Sequence, residues 1–177
     1  DRVIQTSLGK VHGGCTGDTC QYLNIPFAEP FSHRFQASQI RVSPYGPTGV
    51  GSAIKYGPAC IQNFQVGNVG EQSEDCMNLN IFAPSNLSQF KHPLPVMVWL
   101  YCGGFLTGSA GVDYSGLTFN GTRLAMHGVL VVTIQYRVGI FGFLQQSDGS
   151  AGANGFGDMV TALKWIKSHI ANFNGDP

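Results

Sequence analysis

Five consecutive apolar residues, Val96–Leu100, are entered through Pro93 and Pro95 and left through Gly103 and Gly104. A short apolar run between such breakers reads as a buried strand, and apolarity at every position predicts cover on both of its faces. Val129–Tyr136 is a second strongly β-forming run. Between the two, Thr118–His127 predicts a short helix, with Asn120 as cap and Gly128 as stop. Asp158–Phe173 predicts a longer helix, because Leu163, Ile166, Ile170 and Phe173 recur at helical spacing. Arg137–Leu144 carries two glycines and reads as a turn with a short extension. Apolar strands alternating with helices imply an α/β class, a mixed sheet flanked by helices.

The region before this alternation is β-rich. Val3–Thr6 and Lys10–His12 flank a Ser-Leu-Gly turn and predict a hairpin, Gln21–Phe27 predicts a short strand, and Asn78–Ala83 predicts another. Ser32 to Gln72 is Gly- and Pro-rich, weakly periodic, and reads as surface excursions. No linker separates two balanced cores. Residues 1–177 therefore read as the incomplete amino-terminal portion of one domain, with a further parallel strand expected after the long helix.

Ten basic and ten acidic residues cancel, and no basic stripe occurs, so nucleic acid is not an expected partner. No stretch approaches the ~20 apolar residues of a membrane span. Five cysteines (Cys15, Cys20, Cys60, Cys76 and Cys102) accompany two glycosylation acceptor patterns, at Asn86 and Asn120. Together they favour an exported, oxidising setting, so a secreted protein is expected. The odd count leaves a thiol, a partner elsewhere, or an intermolecular bond.

The glycine turn after Val96–Leu100 is the feature with most chemical content. An acyl-transfer enzyme must stabilise an oxyanion, and backbone N–H groups on a rigid, unobstructed turn do so. Gly103 and Gly104 suit that task; the plainer alternative is a tight strand exit with no ligand. Ser109 and Ser150 both lie outside a Gly-x-Ser-x-Gly nucleophile elbow and read as turn serines. The five histidines are scattered, Cys15 and Cys20 lack a following ligand pair for zinc, and Gly149 to Gly157 lacks the Lys-Ser/Thr ending of a phosphate loop.

Taken in order, the motifs resemble the type-B carboxylesterase, lipase and cholinesterase family, and in character its fungal members most. Tyr22–Pro30 is similar to its opening motif, followed by Arg34-Phe35. Ser73–Ile81 resembles its Ser-Glu-Asp-Cys-Leu-x-Leu-Asn signature, and Pro95–Phe105 its oxyanion strand and loop. Tyr136–Gly139, Phe141–Leu144, Ala162–Ile166 and Gly175-Asp176-Pro177 complete the series. Cys102 stands in the family's three-glycine run, and Met159 stands where the family usually has Gln.

The resemblance implies an α/β-hydrolase fold and a Ser–Glu/Asp–His triad whose serine elbow follows the Gly-Asp-Pro landmark. The serine, acid and base are thus expected outside this chain, with Gly103 and Gly104 giving two oxyanion N–H groups. It also pairs Cys60 with Cys76, a short loop that tilts the expectation toward an esterase with a small lid. Cys15–Cys20 is a candidate second bridge, leaving Cys102 as the odd cysteine. Arg34–Glu74 and Arg137–Asp158 look like the family's structural ion pairs. The expected function is hydrolysis of small-molecule or lipid esters by the full-length protein, without cofactor or metal. The remainder of the same polypeptide is the expected partner, and the 177-residue chain alone is expected to be inactive. The competing expectation is a non-catalytic cholinesterase-like adhesion or binding protein.

Overall fold

The structure, a computed structural model, describes residues 2–52, 54–62, 69–112, 118–145, 147 and 152–177. Its centre is a six-stranded mixed sheet in the order β1-β2-β3-β6-β8-β7. Strands β1 (Arg2–Thr6), β2 (Gly9–Thr16) and β3 (Thr19–Pro26) form the antiparallel entry. A separate two-residue parallel pair, β4 (Ala59–Cys60) with β5 (Gln72–Ser73), lies within the excursion. Strand β6 (Asn78–Pro84) then pairs antiparallel with both β3 and β8 (Leu130–Ile134). Strand β7 (Val96–Leu100) runs parallel to β8, Val96 beside Leu130 and Leu100 beside Ile134.

Alternation along β6 and β8 sends side chains to two cores. Leu79, Ile81, Leu130, Val132 and Ile134 face the long helix, where Ala162, Trp165, Ile166, Ile170 and Phe173 meet them. Phe82 and Val131 point the other way, onto Leu23 and Ala125. The two strands covered on both faces are therefore β6 and β8, every residue of which is buried. The strand expected at Val96–Leu100 is present, and within residues 1–177 it is covered in part. Val96 and Val98 join the helix-side core, but Met97, Trp99 and Leu100 remain 49%, 44% and 44% exposed. Among the described residues β7 pairs with β8 alone and ends the sheet.

Helix α1 (Thr122–Ala125) sits within the predicted segment. The Asn120 side-chain oxygen accepts the Thr122 N–H at 2.9 Å, and Gly128, at φ +82°, ends the turn. Arg137–Leu144 is more ordered than expected, since helix α2 (Gly139–Phe143) forms there. Its glycines hide it from a propensity reading. Gly142 is a packing residue, because a Cβ at that point would overlap the Arg137 carbonyl. Helix α3 (Asn154–His169), continued by a tighter turn over Ile170–Phe173, begins earlier than predicted. Its buried face carries Asp158, Thr161, Ala162, Trp165, Ile166 and His169, whereas Val160 and Leu163 are exposed. Among the described residues, no helix is long and apolar enough to cross a membrane.

Candidate active site

The glycine turn at Gly103 and Gly104 is built where strand β7 leaves the sheet. Tyr101, directly after β7, is buried and stacks on Tyr136 at 4.1 Å between ring centroids. Each hydroxyl donates to the other residue's carbonyl, at 2.5 Å from Tyr101 and 2.6 Å from Tyr136. Burial and the neighbouring Tyr136 hydroxyl push the Tyr101 pKa far up, so it stays a neutral donor. This double clasp ties the exits of β7 and β8 together.

From that anchor the chain reverses. Gly103 has φ +145°, Gly104 φ +62° and Phe105 φ +62°. The Gly103 carbonyl accepts N–H groups from Leu106 at 3.1 Å and Thr107 at 3.2 Å. A Cβ on Gly103 would overlap the Thr107 carbonyl oxygen, so only glycine fits there. Gly104 is exposed, and a Cβ on it would meet open space. Among the described residues, no acceptor engages its N–H. Cys102, just before Gly103, is exposed and belongs to neither disulfide.

Beyond Gly104 the turn is fastened to α2, where the Gly139 N–H donates to the Phe105 carbonyl at 2.7 Å. Phe105, Phe143 and Phe156 pack edge-on or tilted at 5.1 to 5.3 Å. An open hollow of about 540 Å³ lies between Gly104–Leu106 and the α2 side chains Ile140 and Phe143. The exposed Gly104 backbone thus borders an open, largely apolar hollow.

Five of the other predicted residues, Arg34, Cys60, Glu74, Cys76 and Arg137, line a second cavity of about 370 Å³. Arg137 and Asp158 form a buried bidentate pair, Nε to Oδ2 at 2.8 Å and Nη2 to Oδ1 at 2.7 Å. The Arg137 main-chain N–H adds a bond to the same carboxylate at 3.1 Å, and its guanidinium lies 4.4 Å from the Phe31 ring centroid. Asp158 thus sits inside α3 and serves Arg137, not the helix start where the sequence reading put it. Arg34 and Glu74 also pair, at 2.6 Å, but their side chains are 63% and 45% exposed. Breaking an ion pair this exposed does not carry the large cost of breaking a buried one. Hydrogen bonds from Arg34 hold the Glu74 carboxyl below its ordinary range.

Cys60 is bonded to Cys76, and Cys15 to Cys20 across the β2–β3 register. Residues 63–68 of the Cys60–Cys76 loop, and Ser150 with them, lie outside the described residues. Asn86 and Asn120 are exposed, away from both cavities. Ser109 is buried, and its oxygen accepts N–H groups from Gly111, Val112 and Gln135 at 3.1, 3.4 and 3.1 Å. It is a turn serine, as its sequence context implied.

Two groups escaped the sequence reading. Tyr101 and Tyr136 each close an apolar run, a shared position that was a usable signal. Gln62 is the other: its amide grips the Thr107–Gly108 turn from the Cys60 loop, and nothing in its weakly periodic surroundings points to it.

The carboxylesterase family model matches residues 1–177. Fumonisin B1 esterase of Sphingopyxis macrogoltabida is 38% identical, over 99% of this chain and 33% of its own length. Liver carboxylesterase 1 of Oryctolagus cuniculus is 36% identical, again over 99% and 33%. A PNB esterase structure superposes with TM-score 0.82 at 36% identity, covering 99% of this chain and 36% of its own. The carboxylesterase of Geobacillus stearothermophilus gives TM-score 0.82 at 33% identity, over 99% and 36%. The chain spans about a third of the length of the curated relatives it matches. Strand order and whole-chain similarity lead to one conclusion: this chain belongs to the carboxylesterase family and carries part of an α/β-hydrolase fold.

Proposed function

We propose that the polypeptide containing this chain hydrolyses carboxylic esters through a serine nucleophile located outside residues 1–177, with the Gly103 and Gly104 N–H groups binding the oxyanion. The observation that carries this reading is the turn itself: Gly103 is locked against Thr107, and Gly104 is open beside an apolar hollow. As the serine attacks, the carbonyl oxygen gains negative charge. Preoriented backbone dipoles stabilise that charge more than they stabilise the neutral ester, which is the condition for raising kcat. A histidine and an acid from the same remainder would move the serine proton.

Residues 1–177 are then the amino-terminal portion of one domain, and the remainder of the polypeptide is its first partner. The exposed Met97, Trp99 and Leu100 of edge strand β7 support that reading, since an apolar edge is a surface made to be covered. Two disulfides and the exposed acceptors Asn86 and Asn120 support a secreted glycoprotein. The sixteen-residue separation of Cys60 and Cys76 leaves room only for a short lid, which favours soluble or modest-sized esters over obligate lipid-interface substrates.

The test uses the full-length protein. It should hydrolyse p-nitrophenyl butyrate, bind an aryl trifluoromethyl ketone tightly, and take up one fluorophosphonate on a serine beyond Pro177. The 177-residue chain alone should do none of these. A folded full-length protein with neither turnover nor label would sink the hydrolase reading and leave a binding protein in its place.

A further inference from the structure

The geometry points to Gln62 as a positioning residue for the oxyanion turn, coupling the Cys60–Cys76 loop to the groups that stabilise the tetrahedral intermediate. This rests on the ester-hydrolase reading above and deepens it.

Gln62 lies two residues after Cys60 and is buried. Its Nε2 donates to the Cys60 carbonyl at 3.0 Å and the Gly108 carbonyl at 2.8 Å. Its Oε1 accepts the Thr107 hydroxyl at 2.6 Å and the Gly108 N–H at 2.7 Å. A primary amide offers two N–H donors and two lone pairs, and all four are used here. The Gln62 main-chain N–H adds a bond to the Gln72 side-chain oxygen at 2.9 Å, inside the same disulfide-closed loop.

To the tyrosine clasp and the Gly139–Phe105 bond, Gln62 adds a hold on the returning leg of the turn. Strand β7 exits through Gly103, doubles back, and returns through Thr107 and Gly108, which has φ +121°. The return leg meets the outgoing leg through the Thr107 N–H bond to the Gly103 carbonyl at 3.2 Å. It packs so closely that a Cβ on Gly108 would strike the Tyr101 ring and the Cys102 carbonyl. Gln62 grips the return leg at both Thr107 and Gly108. The aim of the Gly103 and Gly104 N–H groups is thereby set by a side chain from another loop. Glutamine alone combines the reach with paired donor and acceptor. Glutamate would set a carboxylate against the Cys60 and Gly108 carbonyls, asparagine is one methylene short, and methionine fills the space with no hydrogen bond. Because the oxyanion forms only as the reaction proceeds, loosening this grip costs the transition state more than the bound ester.

The experiment compares wild type, Gln62→Met and Thr107→Val in the full-length protein, with active sites titrated by fluorophosphonate. Gln62→Met should lower kcat for p-nitrophenyl butyrate about tenfold or more, as small misplacements of reacting groups do. KM should stay within about twofold, and the Ki of the trifluoromethyl ketone should rise in step with the loss of kcat. Thr107→Val removes one of the four amide contacts and should shift kcat and Ki the same way by less. A lower melting temperature with wild-type kcat and ketone Ki would reduce Gln62 to a structural brace and overturn the inference. Should Gln62→Met not fold, Thr107→Val decides by the same two constants: unchanged values overturn it. A wild type without turnover or ketone affinity would instead remove the hydrolase reading, and this inference with it.

Discussion

Neighbouring residues of the same type do different work in this chain. Gly103 and Gly104 adjoin, yet a Cβ on the first would overlap the Thr107 carbonyl while one on the second would meet open space. Gly104→Ala should therefore cost roughly 1–2 kcal/mol, the ordinary left-handed penalty. Gly103→Ala should cost clearly more, because the backbone itself must move. Urea unfolding of the two variants in the full-length protein checks the order. The ion pairs divide in the same way. Asp158 is fully buried beneath Arg137, so Asp158→Asn should destabilise by about 3–5 kcal/mol, through the unpaired guanidinium left behind. Glu74→Gln, at an exposed pair, should leave the denaturation midpoint unchanged within error. Equal losses at the two sites would contradict the burial argument.

At the scale of elements, cross-links matter according to the chain they close. Cys60–Cys76 closes a loop with a sequence separation of sixteen, in a region whose described residues hold the two-residue β4–β5 pair. Replacing both cysteines by serine should cost about 3 kcal/mol from loop-closure entropy. Cys15 and Cys20 are five apart and already opposed across β2 and β3, so removing that bond should cost less. Calorimetry of the two double variants tests the ranking. The helices show where propensity reading stops. Helix α2 has glycines at Gly139 and Gly142, and α3 opens with Gly155 and Gly157, residues that normally argue against helix. At Gly142 and Gly155 a Cβ would strike the Arg137 carbonyl, and at Gly155 also the Phe143 ring. The Arg137 carbonyl lies too close to both positions for any side chain, and at Gly155 this is a tertiary reason that local preference does not contain.

For the molecule as a whole, buried tyrosines set the response to alkali. Burial pushes Tyr45 from the usual 10 up to about 12, and raises Tyr22, Tyr56 and Tyr101 as well. Unfolded tyrosine ionises near 10, so the unfolded state gives up its protons first. The stabilisation from Tyr45 is complete below pH 10 and is lost as pH rises through about 12. Thermal unfolding between pH 9 and 12 should show a falling midpoint, with a shallower slope in Tyr45→Phe. An unchanged slope would mean that Tyr45 ionises as freely in the fold as outside it.

Features set by short-range chemistry could be read from the residue order alone. The runs at Asn78–Ala83 and Val129–Tyr136, the long amphipathic helix, the punctuation at Asn120 and Gly128, and the ordered family motifs were all legible as patterns. Tertiary structure decided the rest, because it depends on which surfaces meet. An all-apolar run does not say how many neighbours it has: within residues 1–177, Val96–Leu100 pairs with β8 alone among the described residues. A charged residue in a helix pattern does not say that its face is buried, and so Asp158 replaced Leu163 at the core. Nor does a lone glutamine announce that its amide will saturate itself on a turn forty-five residues away, beneath the glycines proposed to hold the oxyanion.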